Sequence, residues 1–321
     1  MKMKNGLRFI SLLLLLSFLF LTVKLDIAFA ATVDLLQLTS SGNREDWPMI
    51  YKNTVYWSDG FGEIHGYDFK TTQESLLAKV GDQLPADFFA PTAYDGRYLV
   101  YNTYTEARGY NVHAYDMKRK KDIAITDEVG SNTATDYDED TVVYIEGGAC
   151  GKLHAYDLKR RRDTLITETA CGPAKISGNI VVWGYAAPGG SNIYGYDLRR
   201  NRQFDVATGD GFQEAPDIYE NTVVWIQYGD IEGRSDVYMK NLRRGTETLL
   251  HSSSEYNMSW PSISKSYVVW GKNTVPHVAG IEGVDLKTHE VFEIQEQGPH
   301  QNGNMSPVIR KYRSLDGLAN G

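Results

Sequence analysis

The chain has 321 residues, 12% of them aromatic, and carries 41 acidic against 33 basic residues, for a net charge of −8. This apolar and aromatic content is enough for a large core, so the composition argues against a disordered chain. The acidic balance also argues against nucleic acid as a partner, because a polyanion binder needs positive charge.

The first thirty residues have the features of an export signal. Three basic residues precede an apolar run over residues 9–23, and Ala28-Phe29-Ala30 has the form of a signal-peptidase site. The run is short for a membrane-spanning helix. We therefore expect cleavage before Ala31 and a secreted, periplasmic or envelope protein. An uncleaved leader is the alternative, and it is the only membrane attachment that we expect.

After the leader, a motif of about forty-three residues recurs six times. Its most regular part is Val-Val-Trp or a close variant, which starts at Val55, Leu99, Val142, Val181, Val223 and Val268. The aromatic ends of these tripeptides lie 44, 43, 39, 42 and 45 residues apart. A proline-containing segment precedes every tripeptide except that at Val142, an Ile-His-x-Tyr-Asp segment or a weaker copy of it follows each one, and a short apolar segment such as Leu-Ile closes the unit.

Each unit predicts four short strands, which we name a, b, c and d in chain order. The segments are rich in β-branched and aromatic residues and are separated by Gly, Asn and Asp. Strand b, the Val-Val-Trp segment, is apolar on both faces, as expected for a strand covered on both sides. Four strands recurring at this period predict an all-β protein, a β-propeller of six complete four-stranded blades.

The domain organisation follows from these repeats. We expect a signal peptide over residues 1–30 and a single propeller domain over residues 31–321. The repeats lie near residues 46–84, 85–132, 133–172, 173–214, 215–259 and 260–303. Residues 33–39 resemble a lone strand d and residues 306–309 a lone strand a, which predicts either a split, partial seventh blade or a six-bladed ring with frayed ends.

Several segments of the repeat match a known type. Ile176-Ser177-Gly178-Asn179 leads into Val-Val-Trp, and Ile193-Tyr194-Gly195-Tyr196-Asp197-Leu198 follows it. Over residues 33–310 the sequence resembles the TolB-type, WD-like propeller repeats of bacterial and archaeal envelope and surface proteins. The Ser-Pro-Asp-Gly turn common in TolB is absent. The resemblance implies a propeller fold and a binding role, for example as a periplasmic assembly partner.

Propeller geometry sorts the connections onto two faces. The b–c and d–a connections emerge on one side, which we name the loop face, and the a–b and c–d turns emerge on the other, the turn face. Cys150 lies between strands b and c of the third unit, and Cys171 follows its strand d. In an oxidising compartment this placement predicts a disulfide. A reactive thiol pair or a metal site is the alternative.

The c–d turns are basic, at residues 118–121, 159–162, 199–202 and 243–244. This pattern fits a solvated surface that prevents edge-to-edge pairing of strands. It also fits a basic rim that binds an anionic cell-wall polymer or lipid headgroup. We favour the first interpretation.

Histidines and carboxylates recur at fixed positions of the repeat. His65, His113 and His154 share one repeat position, which indicates a structural role, and the Tyr-Asp pairs ending strand c are expected to cap turns. Asp136 and Asp217 follow the proline position of strand a, which lines the channel of a propeller. Two such carboxylates fit a glycoside hydrolase or polysaccharide lyase, a Ca²⁺ site, or a polar channel. We favour the channel and assign no cofactor and no catalytic residue.

The remaining candidates are aromatic residues of the loop face. Trp47, Phe212 and Trp260 stand there with Glu214, and such a group can stack on a sugar or accept a peptide. Packing at the channel mouth is the alternative. Together with Asp136 and Asp217, these are our candidate ligand-binding residues. The sequence thus predicts a monomeric, non-catalytic scaffold for a glycan, peptide or envelope protein, with an enzyme as the rival.

Overall fold

A computed structural model describes residues 38, 46–59, 62–80, 88–148, 150–187, 189–229, 235–274 and 278–294. The described residues belong to the larger of two compact units, which spans Leu35–Gly321. They form strands and turns without a helix, and accordingly contain no helical segment able to cross a membrane. The all-β prediction is confirmed. The leader, the segment 306–309 and the segment 33–39 except Leu38 lie outside the described residues.

By their antiparallel pairing the described strands group into six four-stranded sheets, which we number in chain order; parallel pairs and the continuous β12 join sheets 2 to 5 into one hydrogen-bonded sheet. Sheet 1 contains β1 (Asp46–Tyr51), β2 (Thr54–Ser58), β3 (Glu63–Asp68) and β4 (Gln73–Lys79). Sheet 2 contains β5 (Phe88–Tyr94), β6 (Tyr98–Thr105), β7 (Gly109–Asp116) and β8 (Lys121–Ala124). Sheet 3 contains β9 (Gly130–Asp138), β10 (Thr141–Glu146), β11 (Cys150–Asp157) and the first part of β12 (Arg162–Ser177).

The second part of β12 opens sheet 4, which continues with β13 (Ile180–Ala187), β14 (Gly190–Asp197) and β15 (Arg202–Ala207). Sheet 5 contains β16 (Phe212–Tyr219), β17 (Thr222–Tyr228), β18 (Ser235–Asn241) and β19 (Thr246–Ser253). Sheet 6 contains β20 (Asn257–Ile263), β21 (Tyr267–Thr274), β22 (Val278–Asp285) and β23 (Val291–Ile294). The four strands of each sheet are the predicted strands a to d.

The core is divided into five clusters, one between each pair of consecutive sheets. Strand b contributes side chains to two clusters, because successive side chains of a strand point to opposite faces. In β10, Val142 packs between sheets 2 and 3, whereas Val143 packs between sheets 3 and 4. Trp183 and Trp225 each face the preceding sheet. The prediction that strand b is covered on both sides is confirmed.

Each c–d turn is built around the last residue of strand c. In sheet 4, Asp197 Oδ1 accepts hydrogen bonds from the backbone N–H groups of Arg199 and Arg200, at 2.9 and 3.0 Å. The next residue, Leu198, donates its N–H to the carbonyl of Asn179 in the a–b turn, at 2.8 Å. The same two features recur with Asp68, Asp116, Asp157, Asn241 and Asp285. The a–b and c–d turns therefore share one face, and the turn-capping interpretation is confirmed.

Consecutive sheets are also joined at the loop face. The start of β7 pairs in parallel with β9, and the start of β14 pairs with β16. The backbones approach so closely that a Cβ added at Gly109 would lie 2.2 Å from the carbonyl oxygen of Gly130, and one at Gly190 would lie 2.3 Å from that of Gly211. Only glycine fits these two repeat positions, since any side chain would collide with backbone.

Cys150 and Cys171 form the predicted disulfide. They occupy directly opposed positions of β11 and β12, with 4.2 Å between their Cα atoms. Both residues lie in strands rather than in the connections where the sequence pattern placed them. Cys150 is the first residue of β11, and Cys171 lies within β12, which runs without a break from strand d of sheet 3 into strand a of sheet 4.

Removing the disulfide by Cys150→Ser/Cys171→Ser should lower the free energy of unfolding by about 3 kcal/mol, because the denatured chain regains the freedom of a closed loop. Chemical denaturation followed by tryptophan fluorescence measures this loss. A thiol assay of the unreduced wild-type protein serves as the control and should detect none. An unchanged denaturation midpoint would contradict the stabilising role.

The turn caps predict a loss of stability in acid. Burial raises the pKa of Asp157 and Asp197, but hydrogen bonds from Arg160 and Arg200, respectively, outweigh it and leave both pKa values below the usual range. A carboxyl group whose pKa is lower in the folded than in the unfolded chain stabilises the fold at pH values above its unfolded pKa of about 4. This stabilisation is lost as the pH falls from there through the folded-state pKa.

Asn is the natural cap of sheet 5, so Asp157→Asn/Asp197→Asn keeps an acceptor at each turn while removing the titration. The wild-type melting temperature should therefore fall more steeply than that of the double variant as the pH is lowered from 5 towards 2.5, which thermal melts would measure. Parallel pH profiles would refute this role of the two carboxylates.

Candidate functional site

Strand a carries an irregularity at the same position in sheets 1, 5 and 6. Trp47, Ala215 and Trp260 adopt left-handed backbone conformations, with φ of 53°, 51° and 47°, immediately before the proline of the strand. The register between strands a and b shifts at this point in each sheet. Such a bulge breaks the in–out alternation of side chains. Trp260 is consequently 41% exposed although the next residue, Pro261, is buried.

A cavity of about 440 Å³ opens where strands of sheets 4, 5 and 6 reach the loop face. We name it the loop-face cleft. Its lining includes the disulfide residue Cys171 with Gly172 and Pro173, and the side chains of Tyr185, Ser191, Glu214, Tyr228, Asn257 and Trp260. The cleft therefore combines an exposed indole, two phenols and a carboxylate.

Two hydrogen bonds link strands that line the cleft. Ser191 Oγ donates to Glu214 Oε1 at 3.4 Å, and the Tyr228 hydroxyl donates to the carbonyl oxygen of Met258 at 3.2 Å. Burial raises the pKa of Tyr228, and the negative charge of Glu214 raises it further. Tyr228 is thus a neutral hydroxyl at neutral pH, able to donate or accept hydrogen bonds.

The cleft contains two of the four predicted loop-face residues. Glu214 and Trp260 line it. Phe212 lies two residues before Glu214 and is 47% exposed, but it is not part of the lining. Trp47 occupies the register position of Trp260 on β1 and also lies outside the lining.

Sequence reasoning did not identify Tyr185, Tyr228, Ser191 or Asn257 as lining residues. The available signal was weak, because Tyr185 and Tyr228 simply follow the Val-Val-Trp segment by two and three residues. Their convergence depends on how three sheets are placed together.

Asp136 and Asp217 occupy equivalent positions of strand a, opposite Val143 and Val224. Asp136 Oδ2 accepts a hydrogen bond from the backbone N–H of Ile176 at 2.9 Å. Asp217, which is 3% exposed, accepts from the N–H of Ile263 at 3.0 Å and from Ser262 Oγ at 3.1 Å. Each carboxylate therefore ties its own sheet to strand a of the next one, and neither lines the loop-face cleft.

The histidines at the shared position of strand c contact carboxylates of their own sheets. His113 Nδ1 lies 3.0 Å from Asp122, and His154 Nδ1 lies 2.7 Å from Asp163. The rings of Tyr101 and Tyr144 stack on these two histidines at 5.4 and 4.8 Å. These contacts support the structural interpretation. Within the described ranges, no group of three or more His, Cys, Asp or Glu residues is arranged to hold a metal ion.

The basic c–d turns lie on the turn face, opposite the cleft. Arg119, Arg160 and Arg200 each pair with the aspartate three residues earlier, at 3.2, 2.7 and 2.9 Å, and their side chains are at least 71% exposed. Because the paired aspartates also cap the turns, part of this positive charge stabilises the turns themselves. The binding of an anionic envelope polymer by this face stays a prediction.

The stacked four-stranded sheets define the class of protein, which is a β-propeller. No protein-family model matches the sequence, and no curated protein matches it. Solved structures do resemble it. TolB from Acinetobacter baumannii superposes with a TM-score of 0.54 at 14% identity, covering 77% of this chain and 62% of that one. This chain thus spans under two thirds of the length of that TolB.

Two further structures carry the same fold. The β-propeller domain of the Trilobed protease from Pyrococcus furiosus gives a TM-score of 0.59 at 12% identity, covering 79% of this chain and 85% of that one. Oligogalacturonate lyase from Vibrio parahaemolyticus gives a TM-score of 0.52 at 12% identity, covering 73% of this chain and 71% of that one. The fold is that of a TolB-like β-propeller, and similarity at this level of identity concerns the fold alone.

The structural role of Asp217 predicts a loss of stability on truncation. Asp217→Ala should lower the free energy of unfolding by about 1–3 kcal/mol, because it leaves the buried N–H of Ile263 without its acceptor. Asp217→Asn keeps an oxygen at this position and should lose less. Urea denaturation compares the two variants. An alanine variant as stable as the wild type would show that the hydrogen bond from Ile263 to Asp217 does not stabilise the fold.

Proposed function

We propose that this chain is an exported β-propeller that acts as a non-catalytic binding scaffold at the cell surface or in the envelope, with its ligand in the loop-face cleft. One observation carries the proposal: the exposed indole of Trp260 and the carboxylate of Glu214 line the same cavity, together with Tyr185 and Tyr228. The volume of about 440 Å³ falls in the usual range for small-ligand sites.

The cleft has the chemistry to bind a short glycan segment or a short peptide. An exposed indole offers a flat apolar surface to a sugar ring or to a proline or aromatic side chain. Glu214 accepts hydrogen bonds from hydroxyl or amide groups, and the hydroxyl of Tyr228 adds a neutral partner. Because these groups stand at the ends of paired strands, little ordering is needed when a ligand binds.

The contacts of Asp136 and Asp217 favour binding over catalysis. A glycoside hydrolase needs two carboxyl groups directed at the scissile bond, one to protonate the leaving group and one to act as base or nucleophile. Asp136 and Asp217 instead accept backbone hydrogen bonds from neighbouring sheets. The rival reading as a hydrolase or lyase therefore has no support from these two residues.

The similarity to TolB supports an envelope protein as the partner in a general sense. In that case the cleft would accept a peptide segment of the partner, and the scaffold would serve in envelope assembly. A free glycan or peptide and a peptide segment of an envelope protein would contact the same cleft residues, so one set of variants tests both possibilities.

A glycan array and a library of short peptides, both probed with the purified protein, should identify a ligand that requires the cleft. Trp260→Ala should weaken its binding about fivefold or more, since stacking on one aromatic ring contributes on the order of 1 kcal/mol or more. Glu214→Gln should weaken it less, because a hydrogen-bond acceptor remains.

Asp217→Asn is the matched control and should bind as the wild type does, because Asp217 lies outside the cleft. Wild-type affinity in Trp260→Ala would refute the assignment of the cleft. Turnover of a glycan that is lost in Asp217→Asn while binding is kept would favour the enzyme instead.

A further inference from the structure

A row of positive charge follows the turn face of sheets 2 to 5. We define the basic arc as the four c–d turns at residues 117–121, 158–162, 198–202 and 242–245. These segments contain thirteen lysines and arginines and no acidic residue. All of these basic residues are exposed. Because the chain as a whole has a net charge of −8, the arc is a strong local departure from the average charge.

The fold of the c–d turn does not require basic residues. All six turns share one conformation, in which the fourth residue is left-handed with φ between 52° and 68°. Sheets 1 and 6 form this turn over residues 69–72 and 286–289 with only one lysine each, Lys70 and Lys287. Protection against strand pairing acts through charges on edge strands, whereas ten of the thirteen basic residues precede strand d. The solvated-surface interpretation favoured from the sequence therefore leaves most of this charge unexplained.

Contacts on the turn face hold the four turns in place. The first residue of each turn donates its backbone N–H to a carbonyl of its own a–b turn, at 2.7–2.9 Å; these residues are Met117, Leu158, Leu198 and Leu242. Polar contacts also join the a–b turns of sheets 2, 3, 4 and 5 in succession, through the pairs Arg97–Asp140, Asp138–Gly178 and Ser177–Glu220. The basic side chains thus stand on a preformed support, and little backbone ordering is needed when a partner binds.

Most of the charge on the arc is not neutralised. Four of the thirteen residues form ion pairs with carboxylates of the described residues, namely Arg119, Lys159, Arg160 and Arg200. Sheet 5 differs from its neighbours, because its turn is capped by Asn241 instead of an aspartate. Arg243 and Arg244 consequently have no carboxylate at their turn. Nine cations are left without a carboxylate partner in the described part of the chain.

Two properties of the arc indicate a linear phosphate polymer rather than a membrane. Nine of its thirteen basic residues are arginines, whose planar guanidinium groups bind phosphate through two parallel hydrogen bonds. The apolar residues that open the turns pack into the core clusters, so none of them protrudes; they are Met117, Leu158, Leu198 and Leu242. Proteins that lie on membranes combine basic residues with an inserted apolar group, which the arc does not offer.

We propose that the basic arc binds a linear envelope polymer that carries one phosphate group in each repeating unit. Equivalent turns on four consecutive sheets form a row of cationic sites, and a polymer lying along this row engages several of them at once. Binding releases the counterions of the phosphates and is therefore sensitive to salt. The turn face lies opposite the loop face, so the loop-face cleft stays accessible. This interaction goes beyond the proposed function and does not depend on it.

Titration of the purified protein with fluorescently labelled poly(glycerol phosphate) tests the proposal through fluorescence anisotropy. The logarithm of the association constant should fall linearly with the logarithm of the NaCl concentration, with a slope of about −3 or steeper if each turn engages one phosphate. Monomeric glycerol phosphate should not compete at equal phosphate concentration, because it engages one turn at a time. Equally effective competition by the monomer would overturn the assignment to a polymer.

Charge-removing variants locate the binding surface. Arg243→Gln/Arg244→Gln keeps the Asn241 cap, which bonds only backbone N–H groups, and should weaken polymer binding at least about fivefold at about 0.1 M NaCl. The slope should become shallower by about 1. Arg199→Gln/Arg202→Gln removes two charges from sheet 4 and should act alike, so the test does not rest on one turn.

Arg108→Gln/Lys152→Gln is the matched control, because it removes two exposed positive charges at the loop-face ends of sheets 2 and 3. It should leave the salt dependence unchanged, and Trp260→Ala should bind the polymer as the wild type does. Wild-type affinity in both arc variants, or equal weakening in the control, would overturn the proposal. Binding to phosphatidylglycerol vesicles without binding to the polymer would also overturn it and point to a membrane.

Discussion

The structure depends on one constraint, which is that strand b of each unit is apolar on both faces and must be covered on both. A four-stranded sheet cannot do this alone, because it has no second layer of its own. Each sheet therefore packs against the sheets next to it along the chain, and the described core consists of five clusters between consecutive sheets. Stability is consequently a property of the stack, as in other repeat proteins.

Buried polar groups hold the stacked sheets in register. Asp136 and Asp217 accept hydrogen bonds from backbone N–H groups of strand a in the next sheet. The side chains of Asn102 and Ser177 likewise accept hydrogen bonds, each of 2.8 Å, from the backbone N–H groups of Ala134 and Glu220, respectively. Dispersion and hydrophobic burial have little directionality, whereas these hydrogen bonds specify one relative placement. Carboxylates that look catalytic in the sequence thus have a structural task in this fold.

The loop-face cleft arises where the repeats differ from one another. The loop-face cleft uses residues outside the repeated pattern, such as Glu214, and a tryptophan exposed by a bulge. In a fold built from similar units, a few residues can depart from the repeat, because the remaining interfaces supply the stability.

The sequence by itself determined the strands, their grouping in fours, the capped c–d turns and the pairing of Cys150 with Cys171. Each of these follows from local chemistry or from a period along the chain. Only the tertiary structure decided that β12 is continuous, that a bulge exposes Trp260, and that Tyr185 and Tyr228 meet Glu214 in one cleft. These features depend on the distance and angle between sheets, which packing between units sets and no single repeat encodes.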